Sequence, residues 1–374
     1  MNPHLRRAAA GAAALSTALA LAACGGGSTV PPAMQSAPSP IQQQSSSLQS
    51  PMMDDQPARP MFTVIRYNGP MLLPATGGLP SWTGSFTHTG TKYTYTMVGA
   101  NPAMSNVATT VPVTVIPLKF TIGTTSFSPE KKLPNGNTII QNVIASPIFQ
   151  SSVDFKQGGT DLGKTQYEDA FQRGNFWKSV KTKTGYHLML KPTIAAVQTL
   201  KPPAASGKIG TEFGVKVGLI DIQYVDGQLN SLIAKLKIPA GTLPLFIAGD
   251  VYETQGGCCI GGYHSFNGTN TYSLADYIDK AGAFSQDVSA LSHELGEWVD
   301  DPFTNNNVAC GILEVGDPLE GEKNYGGYPY PTNGFTYNLQ DLVFLPYFGA
   351  PANTSVNNWS TFQGTKLSFC QNGG

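Results

Sequence analysis

Residues 284–302 read FSQDVSALSHELGEWVDDP. Val288, Leu291, Leu295, Trp298 and Val299 recur three or four residues apart, which predicts a helix with one apolar face in a core, and Pro302 supplies its stop. On another arc stand His293 and Glu297, four residues apart, with Glu294 between them and Asp300 and Asp301 a turn further on. The i, i+4 spacing stacks His293 and Glu297 on one side of the helix. An imidazole and a carboxylate together suit zinc, and Glu294 is displaced enough to act as a general base without occupying the metal. The competing reading is a helix whose polar residues are merely solvated and capped. A catalytic site needs a third ligand, for which Glu314, Asp317 and Asp301 are the candidates.

The string SHELGEWVDDPFTN, residues 292–305, resembles the active-site helix of the zincin metallopeptidases, H-E-x-x-H. His293 and Glu294 match, and Glu297 stands where the second histidine would be. It is similar to secreted zincin-like proteins in which H-E-x-x-E is followed by an Asp-Pro pair and later by E-[IV]-G-D, here Glu314-Val315-Gly316-Asp317. A weaker resemblance is to the plant phosphate-induced, EXORDIUM-like proteins. The likeness covers residues 240–350. It implies a zincin-like fold, a mixed twisted sheet packed against an active-site helix, and a zinc cofactor held by His293, Glu297 and Glu314. Glu294 would be catalytic, and Asp317 or Asp301 would orient His293. The same likeness makes GGCCIGGYHS, residues 256–265, the strand bordering a cleft, able to pair with an extended peptide while His264 faces the substrate.

The opening MNPHLRR, with Arg6 and Arg7, precedes the apolar AAAGAAALSTALALAAC, a signal peptide covering residues 1–23. Leu21-Ala22-Ala23-Cys24 resembles the lipobox of bacterial lipoproteins. That implies a lipid anchor on Cys24 in a bacterial membrane, and Gly25 rather than Asp after the cysteine points to the outer membrane. Residues 24–60, rich in Pro, Ser and Gln, cannot bury enough apolar surface to order and read as a tether. Four other cysteines remain. In an oxidising compartment Cys258 and Cys259 are expected to pair with Cys310 and Cys370, in either order.

Composition narrows the rest. With 13% charged residues, 41 Gly and 28 Pro, the chain is loop-rich rather than a helical bundle, and its net charge of -1 gives no pull towards nucleic acid. There is no phosphate-cradling loop and no G-x-S-x-G elbow. Strand texture at 61–70, where it is closed by a turn, and at 83–98, 208–225 and 243–253 mixes with helical texture at 165–177 and 226–237, without a βαβ rhythm. One α+β domain over residues 61–374, with a β-rich N-terminal portion, fits this pattern. VPVTVIPLKFTI, residues 111–122, reads as an edge or bulged strand because of Pro112 and Pro117. Tyr328, Tyr330 and Tyr337 either line a cleft or pack a core. The functional expectation is a surface-anchored zinc peptidase. The alternatives are a noncatalytic surface module that binds protein, glycan or wall component, and a structural envelope lipoprotein.

Overall fold

The computed structural model describes residues 61–71, 77–308, 311–345, 347–351 and 360–363; the signal segment, Cys24, the tether, Cys310 and Cys370 lie outside them. The chain begins with β1 (Met61–Ile65), a hairpin of β2 (Ser81–His88) and β3 (Thr91–Val98), the long β4 (Ala108–Ile122), β5 (Thr125–Phe127) and α1 (Ile139–Ala145). A hairpin of β6 (Val153–Gln157) and β7 (Thr160–Thr165) leads to α2 (Tyr167–Asn175), α3 (Trp177–Val180), β8 (His187–Ile194) and β9 (Gln198–Leu200). Then come β10 (Gly207–Glu212), β11 (Val215–Asp221) and α4 (Ile222–Leu236). The run β12 (Leu243–Gly249), β13 (Val251–Thr254), β14 (Ile260–Phe266) and β15 (Thr271–Tyr277) precedes α5 (Ser289–Asp300). The fold is α+β. Among the described residues no helix is long and apolar enough to cross a membrane.

One mixed sheet organises the molecule, in the order β10-β11-β13-β14-β15-β12-β4-β5, with β1 on β14 and with β8 and β9 on β4. The proline-containing β4 is interior, not an edge. Pro112 stands one row before β12 begins to pair, at Leu243↔Val113. Pro117 falls where the neighbour on the other side changes from β8, which ends opposite Val115, to β9, which starts opposite Leu118. A missing N–H costs least in such gaps, so an interior strand tolerates both prolines. The stretch 243–253 is likewise two strands. Asp250 takes a left-handed φ of 53°, turning the chain so that β12 joins β15 while β13 joins β11 and β14.

Each face of the sheet carries its own core. α4 lays Val225, Leu229, Leu232 and Ile233 against Phe246, Tyr263 and Leu274. α5 sits on the other face, its Leu291, Leu295, Trp298 and Val299 clustered with Leu245, Ile247, Ala275 and Tyr277. The amphipathic pattern understates α5, because every residue from Ala290 to Asp300 is buried. β14 and β15 floor it, and β3, α2 and the hairpin Gly327–Thr332 with Phe335–Gln340 close around it. Tyr337 belongs to this core, and Tyr330 packs against it.

Cys258 bonds to its neighbour Cys259, and Cys310 and Cys370, the partners expected for them, lie outside the described residues. A bond between adjacent residues encloses no chain loop and removes almost no entropy from the unfolded chain. Packing therefore carries the burden. Trp298 is fully buried and its Nε1 donates to Thr271 Oγ1 at 2.9 Å. Replacing Trp298 with Ala is expected to lower stability by about 3–5 kcal/mol, read as a fall in the urea midpoint.

Two buried acids make that stability pH-dependent. Burial pushes Asp287 and Asp341 up to about 7, against the hydrogen bonds they accept from Val288, Asn338, Leu342 and Gln363. Their carboxyls hold protons more tightly folded than unfolded. Their contribution is complete below about pH 4 and is lost as pH climbs through about 7. With chelator present, the urea midpoint should be higher at pH 5 than at pH 8, and the double substitution D287N/D341N should reduce that difference.

Candidate metal centre

His293, Glu294 and Glu297 project from the interior helix α5, and all three have no exposed surface. Two groups of donor atoms form around them. His293, Glu297 and Asp317 make one, His264, Glu294 and Glu297 the other, each with its ligand atoms within 4.8 Å of one another. In the first, His293 Nε2 lies 3.1 Å from Glu297 Oε2 and 3.4 Å from Asp317 Oδ1. Zinc bonds of about 2.0–2.2 Å at tetrahedral angles place ligand atoms about 3.3–3.6 Å apart, so this trio has the right size. His293 Nε2 and Glu297 Oε2 are close, but neither has a well-aligned hydrogen-bond partner. Buried polar atoms left in this state point to a missing ion or water. The donor set fits zinc on size and chemistry.

The surrounding chain holds these donors in place. His293 Nδ1 donates to Gln340 Oε1 at 2.5 Å, and Gln340 Nε2 donates to the Gly316 carbonyl, which fixes the amide's direction. Nδ1 thereby keeps its proton, and Nε2 is turned towards the trio, where it would offer its lone pair to a bound metal. Glu297 Oε1 accepts the backbone N–H groups of Gly316 (3.0 Å) and Asp317 (3.3 Å), leaving Oε2 for the centre. Gly316 permits this approach, because a Cβ there would stand 2.4 Å from His293 Nδ1. The E-V-G-D element is thus a backbone clamp on Glu297.

The remaining candidates separate by role. Glu314 is buried and shares a side-chain hydrogen bond with Glu297 rather than joining either trio. Burial and the neighbouring negative charge of Glu297 hold its pKa well above the usual range, so it is the proton donor in that bond. Asp317 stands at the Nε2 side of His293, where a ligand belongs, and 27% of its side chain is exposed. Asp301 caps the loop after α5, accepting the N–H groups of Asn305 and Asn306, and is pushed up to about 7 by burial. His264, on β14, turns Nδ1 to Glu294 Oε2 at 3.3 Å and to Glu297 Oε2 at 3.8 Å.

Protonation within the cluster is uneven. Burial lowers His264 to about 4, although Glu297 opposes it, so this ring is neutral. Burial drives Glu294 well above its ordinary value, making it a proton holder. Glu297 goes the other way. Burial raises it, but the His293 charge and hydrogen bonds outweigh that and bring it down to about 2. Burial works against a charged His293, but Glu297 and Asp317 outweigh it and hold its pKa well above the usual range, so without metal an imidazolium–carboxylate pair lies beside one carboxylic acid and one neutral imidazole.

β14 does not offer a free edge to a peptide. It pairs with β1 along one side, and with β13 and then β15 along the other. Phe62 of β1 stacks on the His293 ring with centroids 4.0 Å apart, and its N–H donates to Glu320 Oε1. Phe62, Glu320, Gln340 and the clamp function of Gly316 were not apparent in the sequence; only the glycine within E-V-G-D carried a signal. No protein family, curated protein or solved structure matches the chain.

The substitutions Q340A and G316A test this support. Each should leave the far-ultraviolet circular dichroism unchanged while weakening zinc affinity by about 10–100-fold, read by competition with a chromophoric chelator.

Proposed function

We propose that the chain is a zinc-dependent peptide hydrolase held at the bacterial outer membrane through lipid on Cys24. The observation that carries the metal reading is the convergence of His293 Nε2, Glu297 Oε2 and Asp317 Oδ1 within 4.8 Å of one another, at a spacing that suits tetrahedral zinc. The lipobox-like Leu21-Ala22-Ala23-Cys24 supports the anchor. Three ligands leave a position open, and zinc there supplies Lewis acidity towards a carbonyl or a water.

The chain's own groups have complementary tasks. Gln340 keeps the His293 proton on Nδ1. The amides of Gly316 and Asp317 keep Glu297 oriented and ionised. Glu294 Oε1 has no hydrogen-bond partner, and the bare Cα of Gly262 leaves it room: a Cβ there would lie 3.2 Å away. Once the charge of a bound zinc favours its carboxylate form, Glu294 would take a proton at that atom during attack and return it to the leaving amine, while neutral His264 borders its other oxygen.

A second reading, a noncatalytic metal-bound surface module, is favoured by the closure of β14 and by Phe62 lying over His293. Plasma mass spectrometry on the purified chain separates the cases. The hydrolase reading expects about one zinc per chain, lost in H293A and E297A, with cleavage in a peptide library. E294Q should keep the zinc and lose about 10²–10⁴-fold in turnover. Zinc without cleavage, even in F62A, would establish the noncatalytic module, and no zinc after reconstitution would end both readings.

A further inference from the structure

A second site lies on the opposite face of β14, where α4, β1 and the β14–β15 turn enclose a cavity of ≈ 720 Å³. That volume is typical of small-molecule sites. Its walls are mixed, with Ile65, Ile233, Ala234 and Phe266 forming an apolar side. Its floor is a closed polar network. Asp226 Oδ1 accepts from Tyr272 at 2.6 Å and from Tyr263 at 3.3 Å, and Asn230 donates to Asp226 Oδ2 at 3.2 Å. Asn267 and Asn270 are also committed, to Asn230 and to the carbonyls of Ile238 and Pro239. A sugar, which needs many free donors and acceptors, would find most of them taken.

The uncommitted groups are cations. Arg66 and Lys237 both line the cavity, and neither side chain makes a hydrogen bond or ion pair among the described residues. The Arg66 charge is also felt by Asp301 at the end of α5. Two positive charges set against the single carboxylate of Asp226 leave an excess of one, which matches one negative charge on a ligand. A dianion such as a phosphate monoester would leave a surplus negative charge facing Asp226. The apolar side calls for an apolar body behind the anionic end.

We propose that this cavity binds an amphiphilic organic monocarboxylate, its carboxylate clamped by Arg66 and Lys237 and its apolar body lying along Ile65, Ile233 and Phe266. Arg66 supplies a planar fork suited to a carboxylate, and Lys237 a mobile point charge at the mouth. Such a carboxylate belongs either to the C-terminal residue of an apolar peptide or to a free alkyl acid. The site uses no residue of the metal centre, and it stands or falls independently of hydrolysis.

The test is calorimetric titration of the full-length chain in uncharged detergent. The probes are N-acetyl-leucyl-leucine, its C-terminal amide, octanoate and phenyl phosphate. Saturable binding of an acid, with the amide silent, is the expected result. Tighter binding of the dipeptide acid identifies a peptide terminus as the source, and tighter binding of octanoate identifies a free alkyl acid. R66Q/K237Q should bind at least about tenfold more weakly, the loss expected for charge-assisted hydrogen bonds. A234W, which fills the cavity without changing charge, should abolish binding. Absence of saturable binding by either acid overturns the proposal. So does an amide or phenyl phosphate that binds as tightly as the acids, or variants that bind like the parent chain.

Discussion

Glu297 carries a negative charge on a helix with no access to water. An isolated carboxylate in such a place is too costly to keep. The neighbouring chain is arranged to offset that cost. Two backbone amides from the E-V-G-D turn reach one oxygen, Glu314 donates a proton, and His293 answers the charge on the other oxygen. The turn approaches because residue 316 is glycine, and His293 faces the centre because Gln340 holds its far nitrogen. The hairpin that carries Gln340 is fastened in turn to Asp287 and Ser292 at the start of α5. Much of the packing around α5 can be traced to keeping one ionised side chain inside the protein.

Whatever rested on local periodicity was legible in advance. The α5 stripe and its stop at Pro302, the α4 stripe through Leu229, Leu232 and Ile233, and the pairing of His293 with Glu297 all follow from positions three and four apart. What depends on distant partners was hidden. Pro112 and Pro117 looked like edge residues because nothing local announces that two different strands, β8 and β9, share one side of β4. Gln340 and Phe62 are ordinary residues in sequence, and their roles arise from contacts spanning 47 and 231 positions. Cys258 and Cys259 had been assigned to remote partners on the general preference for separated cysteines, which this adjacent pair does not follow.

β14 serves both faces of the sheet. His264 points to the metal centre, while Tyr263 and Ser265 belong to the cavity beneath α4, as the alternation of side chains in a strand requires. An irregular register between β1 and β14, from Met61↔Ile260 to Thr63↔Tyr263, shifts that alternation partway along. The two glycines at 261 and 262 lie within the shift, which lets Glu294 come up against bare backbone. One extra residue in one strand therefore decides which side chains face the helix with the histidine and which face the helix with Asp226.

The pairing of β1 with β14 also bears on the order of assembly. Residues 61–65 are among the first parts of the folded region to leave the ribosome, yet their hydrogen-bonding partners are residues 260–265. They must wait through about 200 residues of synthesis, and closing so long a loop is entropically the most expensive pairing in the sheet. The hairpin of β14 and β15, and α5 that rests on it, are joined by far shorter loops and form at less cost. On this ordering Phe62 is the last roof tile laid over His293, leaving an interval in the life of each chain when the donors are assembled but still uncovered.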